Sequence, residues 1–135
     1  MLARREHSVE ELRTKLLLKA YDESTIDEVL VDLISENYLS DERYVEMMFR
    51  YHFGRGQGPR KILNLLRQVD VNDCLVQQAY RAFDGDWFES ASLARQKRFG
   101  DWLGDISEKP RQIRFLSGRG FEYEHIESAF NRASC

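Results

Sequence analysis

At 135 residues, with 42% hydrophobic and 32% charged side chains, the chain suits one ordinary domain or a few small units sharing a core, and it excludes wholesale disorder. No apolar run approaches the ~20 residues that span a bilayer, and the opening "MLARREHS" has no secretory apolar region, which points to the cytoplasm. The formal net charge of −3 argues against a protein that coats nucleic acid by bulk charge.

The predicted elements are helices. The first opens at Ser8, with Glu11 three residues on in a capping-box pattern, and stacks Leu12 on Leu16. A second starts near Ser24 and carries Ile26, Val29, Leu30, Leu33 and Ile34 as an apolar stripe. Residues 40–53, "SDERYVEMMFRYHF", make a third, with a serine cap and acids where the helix dipole favours them; Gly54 follows it. Pro59, after Gly58, marks the first residue of a fourth, and a fifth starts near Asn72. Residues 86–99, "DWFESASLARQKRF", repeat the cap logic through Asp86 and Glu89 and are followed by Gly100. Pro110 lies near the start of the next helix, and Glu122 near the start of the last.

These helices form a repeat. Residues 14–30, 64–80 and 114–130 align at a period of 50 and agree in physical type. Leu16, Leu66 and Leu116 share a column, as do Tyr21, Val71 and Phe121. So do Ile26, Val76 and Ile126, then Val29, Ala79 and Ala129, then Leu30, Tyr80 and Phe130. Three helices per unit place the repeats at 1–39, 40–84 and 85–135, in one continuous repeat domain. The first repeat has little of its leading helix: either that helix is short or the sequence is incomplete at its N-terminus. The turn column holds Ala20, Asp70 and Gly120. A left-handed residue there suits glycine, tolerates Asp, and costs alanine about 1 kcal/mol; otherwise the first turn has a different geometry.

The charges are segregated. Residues 21–48 carry nine acids against Arg43 alone. Residues 49–69 carry Arg50, Arg55, Arg60, Lys61 and Arg67 with no acid. Residues 95–119 carry Arg95, Lys97, Arg98, Lys109, Arg111, Arg114 and Arg119 against Asp101, Asp105 and Glu108. Solvated helix faces produce such runs, and so does a surface that faces a polyanion.

No enzyme signature is present. "GRGQGPRK" lacks the Walker spacing. Gly54, Gly56 and Gly58 read as a helix–helix connection rather than an anion-binding nest. His7, His52 and His125 have no metal-ligand spacing, and no cofactor is expected. Cys74 and Cys135 read as free thiols rather than a disulfide. Asp41-Glu42 sits at a helix start, which accounts for both acids. Tyr44, Phe49, Tyr51, Trp87, Phe88 and Phe99 read as core, whereas Trp102, in a short polar loop, is a plug between repeats or an exposed contact.

Four segments together resemble the bacterial RecX family, regulators of the recombinase RecA. "LARREHSVEELRTKLLLKAY" is similar to the family's opening through Arg5, Ser8, Glu11, Leu12, Lys15, Leu16 and Lys19. "LSDERYVEMMF" resembles its Leu-Asp-Asp-x-Arg-[Phe/Tyr] segment through Leu39, Asp41, Arg43 and Tyr44. "RGQGPRKI" resembles Gly-x-Gly-Pro-x-x-Ile through Gly56, Gly58, Pro59 and Ile62. "FLSGRGFEYEHI" resembles the closing Phe-Leu-x-x-Arg-Gly-[Phe/Tyr] motif through Phe115, Leu116, Arg119, Gly120 and Phe121. The chain departs from the pattern at Val69-Asp70, where Lys-Gly is usual, at Leu65, and at Ala20.

The resemblance implies an all-α, elongated, curved, solenoid-like stack of three three-helix repeats. It also implies a regulator that binds RecA filaments on single-stranded DNA without catalysis, and the lack of a heptad seam points to a monomer. Such a protein would lower recombinase, ATPase and co-protease activity in repair and the SOS response. The partner- or DNA-facing candidates are Arg55, Arg60, Lys61, Arg67, Arg95, Lys97, Arg98, Lys109, Arg111, Arg114 and Arg119. Guanidiniums among them can hold phosphates or carboxylates bidentately. Weak direct DNA binding is expected beside the RecA-binding role. The alternative is an autonomous helical protein that binds single- or double-stranded DNA; net charge and the lack of a recognition helix speak against it. A helical adaptor for some other protein is a third reading.

Overall fold

A computed structural model describes residues 6–131; Arg5 and Cys135 lie outside the described residues. Among these, the regular elements are helical, as the sequence predicts. They are α1 (Val9–Leu18), α2 (Glu23–Ser35), α3 (Asp41–Gly54), α4 (Pro59–Arg67), α5 (Asp73–Ala82), α6 (Trp87–Phe99), a 3-10 turn (Ile106–Glu108), α7 (Lys109–Gly118) and α8 (Tyr123–Asn131). Among the described residues two compact units form, one from residues 6–48 and 65–82, the other from 49–64 and 83–131, so α3 and α4 each contribute to both.

In the first unit Ser8 caps α1 as its spacing predicts, its hydroxyl accepting from the Glu11 amide at 3.0 Å. Helix α2 begins one residue earlier than read, at Glu23 after Asp22, and the Ser24 hydroxyl donates to Asp22 instead. Leu12, Ile26, Leu30 and Leu39 form the core, with Val9, Leu16 and Leu33 packed against it. Each fully buried aliphatic side chain of this kind stabilises by about 1.5–3 kcal/mol.

The "LSDERY" segment is what closes this unit. Leu39 enters the core, and Tyr44 is buried. Asp41 accepts the Val9 amide at 2.8 Å, placing a carboxylate on an otherwise orphan donor at the positive end of α1. Arg43 pairs with Glu6 at 2.5 Å and donates to the Asn37 side chain and carbonyl at 2.8 and 2.7 Å. Asn37, at φ 62, is the left-handed residue that ends α2.

In the second unit α6, α7 and α8 pack against one another. Phe49, Ile62, Trp87, Ala91, Leu116, Phe121, Ile126, Ala129 and Phe130 are buried. Phe49, Phe53, Phe83 and Trp87 form an aromatic cluster with centroids 5.1–6.5 Å apart. Asp86 caps α6 through the Phe88 and Glu89 amides, as read from sequence.

The glycine-rich connection is settled by its hydrogen bonds. The Gly58 amide donates to the Arg119 carbonyl at 2.8 Å, and the Arg60 amide to the Gly120 carbonyl at 2.9 Å. The donors at the start of α4 are therefore spent on carbonyls at the end of α7, as a helix connection requires and an anion nest does not.

Two of the three repeat turns share one geometry. Tyr21 donates to Leu16 and Ala20 to Leu17; Phe121 donates to Leu116 and Gly120 to Ser117. These are Schellman closures, with Ala20 at φ 64 and Gly120 at φ 97. The middle turn differs: Val71 donates to Val69 at 2.8 Å across Asp70. Asp70 has no positive φ.

Candidate functional site

The basic candidates divide by unit. Arg67 belongs to the first, the others to the second. Arg60 and Arg114 are exposed, and Lys61 is half-buried with its backbone against Gly120. Lys109 pairs with Glu127 at 3.6 Å and lies 5.2 Å over the Phe130 ring.

Arg95 departs from expectation. It is 1% exposed, so it faces no partner at the surface. Its guanidinium donates to the Gly100 carbonyl at 3.1 Å and to Gln112 at 3.4 Å, tying the end of α6 to α7. Burial lowers its pKa, against the opposing attraction of Asp101. Position 95 reads as surface because Lys97 and Arg98 surround it in sequence, but helical spacing places it one turn beyond buried Ala91, on the inner face.

Four other candidates meet. Arg55, Lys97, Arg98 and Arg119 line one cleft of about 750 Å³, together with Phe53, Leu93, Ala94 and Phe115 and the acids Asp86 and Glu89. None of the four cations is in an ion pair among the described residues.

The guanidiniums are instead held by rings. Arg119 lies 5.3 Å over Phe115, and Arg98 5.9 Å over the same ring. Arg98 also lies 5.3 Å over Phe99, which carries Arg111 at 5.3 Å as well. The two rings meet edge to face at 5.3 Å. Arg55 lies over Tyr51 and donates to its hydroxyl at 2.7 Å. A cation–π contact of this kind contributes about 0.5–1 kcal/mol at exposed sites. It restrains the guanidinium while leaving its in-plane N–H groups available for a carboxylate or phosphate.

Phe99 and Phe115 are half-buried supports, a role that periodicity alone did not distinguish from core. The spacing of Arg111, Phe115 and Arg119 at i, i+4 was the available signal. Leu93, 57% exposed in the cleft, was missed because one exposed leucine has no signature. Tyr51 and Phe88, read as core, are exposed, though Phe88 packs edge-on against His125 at 4.7 Å. Trp102 is half-buried, edge-on to Phe130 at 4.8 Å.

His125 is buried away from the cleft lining, its Nδ1 accepting the Glu122 amide at 3.2 Å. Burial lowers its pKa; Glu124, Glu122 and Asp86 act in the opposite direction. Cys74 is an exposed free thiol. Among the described residues no group of three or more metal-ligating side chains occurs, and no helix is long and apolar enough to cross a membrane.

Family models described as the first, second and third three-helix domains of RecX match residues 1–33, 40–79 and 84–130. The regulatory protein RecX of Vibrio parahaemolyticus is 37% identical over 132 residues, covering 97% of this chain and 85% of that protein. Its counterpart in Halorhodospira halophila is 36% identical, covering 96% and 81%. The counterpart in Acinetobacter baylyi is 35% identical, covering 98% and 82%. The crystal structure of RecX from Lactobacillus salivarius superposes with a TM-score of 0.80 at 18% identity, covering 98% of this chain and 89% of that one.

Proposed function

The chain belongs to the RecX family of regulatory proteins, and from that premise we propose that it binds the RecA recombinase assembled on single-stranded DNA and lowers its ATP turnover, strand exchange and co-protease action. It does so by occupancy rather than catalysis, as a cytoplasmic monomer without a cofactor, with repeats bounded at 1–39, 40–84 and 85–135.

The observation that carries this reading is the row of ring-held guanidiniums from Arg119 through Arg98 to Arg111. Four residues of the family-like motifs serve the scaffold, Asp41 and Arg43 closing the first unit and Gly58 and Gly120 the second, while Phe115 and Arg119 of the closing motif belong to the row itself. Arg111 pairs with Glu108 at 3.3 Å, but Arg98 and Arg119 are in no ion pair among the described residues, and an aligned basic face suits recognition of an acidic partner.

The test is RecA ATP hydrolysis on single-stranded DNA, titrated with this protein at fixed salt beside its own DNA binding. Turnover that falls at concentrations too low to cover the DNA supports the reading. Turnover that falls only as the DNA saturates makes the chain a competing DNA binder, and unchanged turnover removes the proposal.

A further inference from the structure

We propose that the cleft lined by Arg55, Lys97, Arg98 and Arg119 binds an acidic segment of a protein partner, with an apolar side chain of that segment seated against Leu93. This deepens the reading above, on which it rests for the partner-facing role of this surface, by naming the chemistry that surface accepts.

The cleft combines two features. Its four cations have no carboxylate partners among the described residues, although Asp86 and Glu89 line the same cleft. Three of them are restrained by aromatic rings, so little rotamer entropy remains to be lost when a carboxylate arrives. Leu93, more than half exposed, offers an apolar seat of the kind a leucine or phenylalanine side chain covers. A volume of about 750 Å³ holds a few side chains rather than a whole domain.

A nucleic-acid strand fits less well. Strand-binding grooves stack bases on open aromatic faces. Here Phe115 carries Arg98 and Arg119, and Phe99 carries Arg98 and Arg111. The acids Asp86 and Glu89 would repel a continuous run of phosphates, whereas a peptide spaces its carboxylates and can present an amide or a cation to them.

The experiment is a fluorescence-anisotropy titration of the full chain with a labelled, end-capped peptide of sequence Asp-Glu-Leu-Phe-Glu-Asp. Its amide counterpart, Asn-Gln-Leu-Phe-Gln-Asn, and a short oligothymidylate are titrated in parallel. The acidic peptide is expected to bind, and its amide counterpart to bind roughly tenfold more weakly or not at all. Leu93→Asp and Arg98→Glu, each with helical content checked by circular dichroism, are expected to weaken the acidic peptide by roughly tenfold or more. Equal binding by wild type and both variants overturns the site, as does absence of peptide binding. Binding of oligothymidylate but not peptide, lost in Leu93→Asp, overturns it in favour of a strand. Peptide binding that holds while RecA turnover is unaffected leaves the site standing and removes the RecA reading instead.

Discussion

Gly58 and Gly120 meet backbone to backbone. A Cβ on Gly58 would fall on the carbonyl group of Gly120, and one on Gly120 would lie 2.6 Å from the Cβ of Lys61 and 2.7 Å from its nitrogen. Two signature segments more than 50 residues apart in sequence are thus the two halves of one contact, sealed by the Gly58–Arg119 and Arg60–Gly120 hydrogen bonds. Alanine at either position has backbone, not a flexible side chain, in its way. Gly120→Ala adds the strain of φ 97. Each substitution is expected to destabilise by about 2–4 kcal/mol in urea unfolding. Gly56→Ala is the control: its φ is 75 but its surroundings are open, so only about 1 kcal/mol is expected. Gly58 has no positive φ, so equal losses at Gly56 and Gly120 with none at Gly58 would show that φ alone matters, not the contact.

Ala20 occupies the same turn position as Gly120 but with a Cβ at φ 64. Its turn makes the same Schellman bonds, so the first repeat adopts the geometry and bears the strain. Ala20→Gly is therefore expected to stabilise by up to about 1 kcal/mol, less whatever entropy glycine adds to the unfolded chain. The rise in the urea midpoint, at unchanged m-value, is the measurement. Asp70→Gly has no such effect to relieve, since its turn closes differently, and should lower the midpoint.

Helices, caps and the repeat were legible because each rests on local chemistry. Ser8 and Asp86 announce their helix starts by residue type, and Ile26, Val76 and Ile126 are buried in all three copies. Shared residue type did not imply shared burial. Tyr21 is 54% exposed where Phe121 is 0%. A column records which face of a helix a residue occupies, but what covers that face depends on neighbours that lie far away in sequence. The cleft was hidden for the same reason. Its residues come from α3, the connection after it, α6 and the α7 end, and no window of sequence contains them together.

Arg95 separates charge that holds the fold from charge that faces outward. Its Nε has no hydrogen-bond partner, and its burial lowers its pKa. Removing the buried guanidinium relieves its desolvation but leaves the Gly100 carbonyl and Gln112 without their donor. Arg95→Met, which fills the space but strands the same two groups, is expected to lose about 1–2 kcal/mol and to leave RecA inhibition unchanged. Arg95→Ala is expected to lose about 3 kcal/mol, because it leaves a cavity and strands Gln112 and the Gly100 carbonyl. A Met variant that folds normally but fails to inhibit would mean that Arg95 reaches the partner after all.

His125 makes stability depend on pH. Its folded pKa lies below the usual histidine value because it is buried, and its Nδ1 must stay unprotonated to accept the Glu122 amide at the start of α8. The facing groups Glu122, Glu124 and Asp86 soften this shift without reversing it. In the relevant window the unfolded chain binds the extra proton. The contribution is therefore complete above about pH 6.5 and is lost as pH falls through the lower folded value. Thermal melts of wild type and His125→Asn between pH 5 and pH 8 check it. The wild type should lose more stability than the variant on acidification, and parallel pH profiles would assign the loss to other groups.

The guanidinium row makes a prediction that charge alone does not. Arg98 touches both rings, so Arg98→Lys keeps the charge but loses the planar stack and the bidentate fork. If alignment matters, Arg98→Lys should weaken RecA inhibition severalfold, Arg98→Glu should weaken it further, and Arg60→Lys, at an exposed position outside the cleft, should change nothing. Raising salt should shrink the gap between Arg98→Glu and wild type more than that between Arg98→Lys and wild type, because screening acts on net charge and not on hydrogen-bond geometry. Inhibition by Arg98→Lys equal to wild type at every salt concentration would reduce the row to a diffuse positive surface.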